Sequence, residues 1–202
     1  MASTPQRELN SIWTPANVVT CIRIVFIPVF MIAALLSAGP DGVGGGAAAW
    51  VAFILYVLLS LTDKVDGILA RSRGEITDFG KFLDPIADKL LVFSALLILL
   101  DQGVVSVWAV FIILTREFLV SAMRMVASAA GRVIAADSLG KWKTATTMVA
   151  LSGFLLWEAL GTNHVGLIVY WFSSACFLVA VVLTVISGAQ YLIGARDIIF
   201  KP

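Results

Sequence analysis

An all-α integral membrane protein, with six transmembrane helices and a polar cavity open to the cytoplasm, is the fold class this sequence predicts. Three observations predict it. The 202-residue chain is 60% hydrophobic and only 13% charged, with a mean hydropathy of +0.98, which is too apolar for a water-soluble domain. Its apolar residues gather into six runs, each long enough for a span of ~20 residues, parted by short stretches rich in glycine or charge. The stretches 39–46, 101–103 and 161–164 hold no Lys or Arg. Every basic residue falls in the two tails, in the connections after the second and fourth runs, or in the helix halves next to them. By the positive-inside rule, both termini are expected on the cytoplasmic side.

Taken in order, residues 1–16 are polar with Arg7, Glu8, Leu9, Ile12 and Trp13 interleaved. They read as an N-terminal interfacial segment with Trp13 at headgroup level, or as a disordered tail. The membrane domain is expected over 17–202. Pro15 and Asn17 mark the first helix start, with Asn17 as N-cap, and the span runs from about Val18 to Leu36. Ser37-Ala38-Gly39 resembles a cleavage site, but the apolar stretch outruns a typical signal-peptide core and holds Arg23, so the span is read as retained. The second span runs from about Ala47 into the segment Asp63–Arg71, and residues 72–80 turn the chain. The third span runs from near Lys81 to Leu100, the fourth from near Val104 to Ala130. Residues 131–140 read as a loop; the fifth span follows from Lys141 to Leu160 and the sixth from Val165 to Ile193.

Several classes are set aside by composition. A net charge of +1 gives no footprint for nucleic acid. Cys21 and Cys176 both lie inside apolar runs and read as small core residues rather than a disulfide or metal pair. The single histidine, His164, reads as a loop residue, which argues against zinc chemistry.

Charge concentrates between the second and third spans. Asp63 and Asp66 are three residues apart, Asp84 and Asp88 four apart; on helices, each pair lies on one face. A charged run between membrane segments is usually a solvated loop. Here, however, the aspartates directly continue one apolar run and open the next, where unpaired charge is costly. Two carboxylate pairs on neighbouring helices form a box of hard oxygen ligands suited to Mg2+ or Mn2+ with a phosphate substrate. Two such ions can clamp a pyrophosphate and an attacking oxygen together. Asp63, Asp66 and Asp84 are natural ligands. Asp88, one turn beyond Asp84, can ligate and can take a proton from an attacking hydroxyl. Gly67 and Ala70 leave room for a group to approach the helix backbone, and Gly80 lets the turn pack closely before Asp84; simple helix packing is the alternative for either glycine. Arg71 can fork onto a phosphate oxygen.

A second charged group comprises Arg116, Arg124, Lys141 and Lys143. For Lys143 and Arg132, a plain positive-inside role accounts for the charge. Arg116 lies about two turns inward from Arg124, and a buried arginine needs a counterion. Glu117, adjacent in sequence, is expected to face elsewhere and to be a poor partner. A phosphate on a water-soluble second substrate would satisfy Arg116 and Arg124.

The aspartate segment fills, without a gap, the pattern Asp-x2-Asp-Gly-x2-Ala-Arg-x8-Gly-x3-Asp-x3-Asp with Asp63, Asp66, Gly67, Ala70, Arg71, Gly80, Asp84 and Asp88. In this the chain resembles the CDP-alcohol phosphotransferases, membrane enzymes of phospholipid synthesis. Asn17-x2-Thr20-x2-Arg23, the run Phe79 to Lys89, Arg116-Glu117 and Gly140-Lys141-x-Lys143-Thr144 resemble the bacterial branch whose acceptor is sn-glycerol 3-phosphate. The resemblance implies two divalent cations, Mg2+ or Mn2+, held by Asp63, Asp66, Asp84 and Asp88, with Asp88 also the base. It implies that Asn17, Thr20, Gly67, Ala70, Arg71, Thr77 and Gly80 bind CDP-diacylglycerol, and that Arg116, Arg124 and Lys141 bind the acceptor phosphate. It further implies a homodimer in the bacterial inner membrane, with the active site on the cytoplasmic side. A sibling acceptor, such as inositol phosphate, shares the donor motif and is the alternative. A divalent-cation transporter is a more remote one, since no ionisable trail joins the motif to Asp41, Asp101 or Glu158 on the outer side.

Overall fold

The computed structural model describes the backbone of residues 14–37, 46–73, 78–129 and 138–199, and the side chains within these ranges except at 15–16, 63–73, 78, 81–82, 84, 128–129, 138 and 195–199. The described residues form six helices and no strand: α1 (Pro15–Ser37), α2 (Ala47–Arg73), α3 (Asp78–Asp101), α4 (Val107–Ala129), α5 (Ser138–Leu160) and α6 (His164–Ile199). The helix at each expected span is present. The segments Asn17–Ser37 and His164–Gly194 are long and apolar enough to cross a membrane, with mean hydropathy 2.5 and 2.3; Ala47–Thr62 is a shorter apolar stretch. The chain divides into two compact units, residues 1–98 and 99–202. The tail over residues 1–13 lies outside the described residues.

Helix ends show why the boundaries differ by a few residues from the expected ones. Thr14, not Asn17, caps α1: its Oγ1 accepts from the Asn17 backbone N–H at 3.3 Å, with Pro15 at the first helical position, where its missing N–H costs nothing. Ser106 caps α4 through the Trp108 N–H at 3.3 Å, so this helix starts three residues later than the apolar run. Residues 138–140, expected in a loop, form the first turn of α5, and His164 opens α6 rather than sitting in a loop.

α3 is closed off by Gly103, two residues past its end, whose φ of 72° lets Gly103 N–H reach Leu100 O at 3.0 Å and Val104 N–H reach Leu99 O at 2.9 Å. That pair of bonds is a Schellman cap, which satisfies two otherwise orphaned carbonyls.

In the first unit α1 packs on α2, antiparallel: Arg23 meets Thr62 while Phe30 meets Tyr56, ring centroids 5.6 Å apart. One stripe of α1 is buried, made of Asn17, Thr20, Arg23, Ile27, Phe30 and Ala34. The opposite stripe, Ile22, Val25, Val29, Ile32 and Leu36, is apolar and exposed. The helix is thus polar toward the protein at one end and apolar outward throughout, the pattern of a helix whose solvent is lipid.

In the second unit α5 packs along α6, and α4 packs on α6. The α5–α6 connection is tight. Gly161 (φ 74°) caps α5 through Trp157 O at 2.9 Å. Asn163 caps α6, accepting from Gly166 N–H at 2.8 Å. A Cβ on Gly166 would stand 2.0 Å from Gly161 O, and one on Gly153 would stand 2.0 Å from Ser173 Oγ. Small residues at these crossings bring the helix axes close, which is how apolar helices gain packing when lipid competes for their side chains. Phe154, Trp157, Tyr170 and Phe177 fill the remainder, with Trp157 and Tyr170 centroids 4.8 Å apart. Cys21 and Cys176 are free thiols.

Candidate active site

Both aspartate pairs lie on helices, as their spacing requires. Asp63 and Asp66 belong to the C-terminal turns of α2, and Asp84 and Asp88 to the first half of α3. By helical register each pair shares a face. The side chains of Asp63, Asp66, Gly67, Ala70, Arg71 and Asp84, and all of Thr77, lie outside the described residues. Asp88 is half-buried and Gly80 is buried. Asp88 lies within electrostatic range of the Tyr56 phenol. Tyr56 is fully buried, with Ser60 one turn on along α2.

Tyr56 belongs to none of the sequence motifs. The available signal was its spacing: Tyr56, Ser60 and Asp63 recur at i, i+4 and i+7, one polar stripe through an otherwise apolar helix.

The first helix brings its predicted residues to the same end. Asn17, Thr20 and Arg23 are 3%, 0% and 1% exposed. Arg23 donates from Nε to Thr62 Oγ1 at 3.5 Å, directly before Asp63. Because α1 and α2 run antiparallel with equal rise, this contact places Thr20 level with about residue 65 and Asn17 with about residue 68. Asn17 and Thr20 therefore flank the stretch of α2 that carries Asp66 and Gly67.

As a donor set, four carboxylates at the ends of two consecutive helices fit hard divalent cations, which take oxygen ligands. Among the described residues there is no group of three or more His, Cys, Asp or Glu side chains; three of the four motif side chains fall outside that set.

The second cluster differs from the sequence expectation. Glu117 is not a poor partner: its Oε1 accepts from Arg116 Nη1 at 3.0 Å and pairs directly with Lys143 Nζ. Adjacent residues do start about 100° apart on a helix. The arginine stem is long enough to swing round, and Lys143 of α5 draws the carboxylate toward it. Lys143, expected to be a plain interfacial charge, is 5% exposed. Burial without Glu117 would be costly, which explains the pairing.

Arg124 lies against α6 instead. Its Nε and Nη2 donate to Tyr191 Oη at 3.0 and 2.6 Å. The same ring lies beneath both arginines, 5.3 Å from Arg124 Cζ and 5.9 Å from Arg116 Cζ. Two residues that do not share a narrow stripe on α4 are thus joined through α6. Lys141 is exposed and joins neither arginine among the described contacts. Two residues from Lys143, it projects about 200° away.

Residues 13–187 match the model of the CDP-alcohol phosphatidyltransferase family. The chain belongs to this family. Curated relatives extend over most of it. A CDP-diacylglycerol–glycerol-3-phosphate 3-phosphatidyltransferase of Bacillus subtilis (strain 168) is 40% identical over 182 residues, covering 87% of this chain and 91% of the relative. A probable phosphatidylglycerophosphate synthase of Mycobacterium tuberculosis (strain H37Rv) is 40% identical over 184 residues, covering 91% and 82%. A CDP-diacylglycerol–glycerol-3-phosphate 3-phosphatidyltransferase of Haemophilus influenzae is 33% identical over 178 residues, covering 86% and 88%. In this CDP-alcohol phosphatidyltransferase, charge among the described residues gathers along α1 and α3 in the first unit and in the cationic cluster of α4, α5 and α6 in the second.

Proposed function

We propose that this chain transfers the phosphatidyl group from CDP-diacylglycerol to sn-glycerol 3-phosphate, giving phosphatidylglycerophosphate and CMP. The observation that carries this is the naming of relatives at 33–40% identity over most of the chain for that reaction. The cationic cluster adds support. Among the described residues one carboxylate, Glu117, serves the cluster, and Arg124 meets a neutral hydroxyl. A phosphate monoester, carrying about −1.5 to −2 at neutral pH, is the complementary ligand.

In this proposal the donor is held by residues of the first unit: Asn17, Thr20, Gly67, Ala70, Arg71, Thr77 and Gly80. Asp63, Asp66, Asp84 and Asp88 would hold two divalent cations, Mg2+ or Mn2+. When bound, such cations stabilise charge developing on phosphorus and on the departing phosphate. Asp88 takes the proton from the acceptor hydroxyl as its oxygen attacks the phosphorus bonded to diacylglycerol, and the bond to CMP breaks. Arg116, Arg124 and Lys141 hold the acceptor phosphate, with the exposed Lys141 at the rim.

All six helices cross the membrane in this proposal, with both termini and the active-site cavity on the cytoplasmic side of a bacterial inner membrane. Residues 17–202 form the membrane domain, residues 1–16 lie at the interface, and the enzyme is a homodimer. Helix length supports it: the shortest helices have 23 residues, about 34 Å at helical rise, against a hydrocarbon core of ~30 Å.

The test is CMP release by detergent-purified protein given CDP-diacylglycerol, Mg2+ and one of glycerol 3-phosphate, inositol phosphate, serine or no acceptor. Release only with glycerol 3-phosphate, lost in Asp88→Asn, is expected. Release with inositol phosphate instead would overturn the acceptor and keep the donor chemistry.

A further inference from the structure

Tyr191 lies outside every role assigned above, yet both arginines of the acceptor cluster meet it. It is 5% exposed. Its hydroxyl accepts two N–H groups from one edge of Arg124, at 3.0 and 2.6 Å, and its ring faces the guanidinium carbons of Arg116 and Arg124. One turn earlier on α6, Gly188 makes way for the Arg116 stem: a Cβ there would stand 3.2 Å from Arg116 Cγ. α6 thus presents a small residue and then an aromatic one, shaped to receive two arginines from α4.

A guanidinium has five N–H groups in a fixed plane. Tyr191 engages Nε and one Nη2 proton, so the Nη1–Nη2 edge of Arg124 keeps a fork of the geometry that suits a phosphate. A flexible arginine would lose side-chain entropy on gripping an anion, and one already fixed in place loses less. We propose that Tyr191 is a positioning residue for acceptor recognition, holding Arg124 and Arg116 in one preset arrangement for a phosphate monoester. This rests on the assignment of Arg116 and Arg124 to the acceptor phosphate. The ring serves both cations, and the hydroxyl orients Arg124.

The experiment measures kcat and KM for both substrates, by CMP release, in full-length Tyr191→Phe, Tyr191→Leu and Arg124→Ala. Thermal unfolding midpoints in detergent accompany each. Tyr191→Phe keeps the ring and is expected to raise the KM for glycerol 3-phosphate about 5- to 10-fold, the scale of immobilising one rotamer-rich side chain. Its kcat and its KM for CDP-diacylglycerol stay within twofold of the parent. Tyr191→Leu, which removes the ring as well, raises the acceptor KM further. An acceptor KM unmoved in Tyr191→Phe but raised in Arg124→Ala would overturn the role of Tyr191 and leave the acceptor site standing. An acceptor KM unmoved in Arg124→Ala would overturn the acceptor site itself, and the role of Tyr191 with it. A parallel change in kcat and both KM values in Tyr191→Phe, with a lowered midpoint, would make Tyr191 merely structural and also overturn the proposal.

Discussion

Arg23 of α1 and Thr62 of α2 are joined across 3.5 Å, from guanidinium Nε to Oγ1, at the last residue before Asp63. Thr62 donates its own proton to Leu59 O at 2.8 Å, so its hydroxyl is used twice. Thr62→Val keeps the shape and loses both bonds. Interhelical hydrogen bonds in membranes average about 0.6 kcal/mol with a maximum near 1.7. The substitution is expected to lower unfolding stability by about 1 kcal/mol, measured in detergent; an unchanged midpoint would mean that Arg23 is held by other contacts.

Loss of one motif carboxylate should stop the reaction. Asp84→Asn and Asp88→Asn are each expected to reduce CMP release by about 100-fold or more, and chelation of divalent cations should do the same to the parent until Mg2+ is restored. If Asp84→Asn left metal-dependent CMP release intact, the transferase chemistry assigned to this segment would fail.

Glu117 holds Arg116 and Lys143 together. Glu117→Gln leaves two cations without their carboxylate and is expected to cost about 3 kcal/mol, whereas Lys143→Met leaves Glu117 paired with Arg116 and should cost less. The double variant should cost less than their sum, with a coupling of about 1–3 kcal/mol in a double-mutant cycle. Strict additivity would show that the pair contributes nothing.

At the α5–α6 crossing, Gly153→Ala places a methyl on Ser173 Oγ. Overpacking at a rigid helix contact is expected to cost about 1–3 kcal/mol, and Ser173→Gly should restore most of it by removing both clashing atoms. Failure of that rescue would locate the damage elsewhere.

Much of this was legible in sequence because helices leave local marks. The six apolar runs, the Gly103 and Gly161 breaks and the aspartate spacing are all read within a few residues. Asn17 reads as the α1 cap in sequence, but Pro15 takes the first helical position and so makes Thr14 the cap. The cationic cluster was legible as a set of residues but not as a network. Glu117 meets Lys143 across 26 residues of chain, and Arg124 meets Tyr191 across 67. No periodicity within one helix encodes which neighbour it will face. Lys143 and Lys141 look alike in sequence, and only the face that α5 turns toward α4 separates the paired cation from the exposed one.

The short α5–α6 connection bears on the order of assembly. Its contacts join residues close along the chain, so closing them costs little loop entropy, and elements rich in local contacts form early. The helical hairpin from Ser138 to Ile199 is therefore expected to zip first, with α4 docking afterwards onto a finished surface. Hydrogen exchange would report this as amides around Gly153 and Ser173 outlasting those of α4. Gly188 and Tyr191 would then be in place before the arginines arrive, a mould set ahead of the charges it receives.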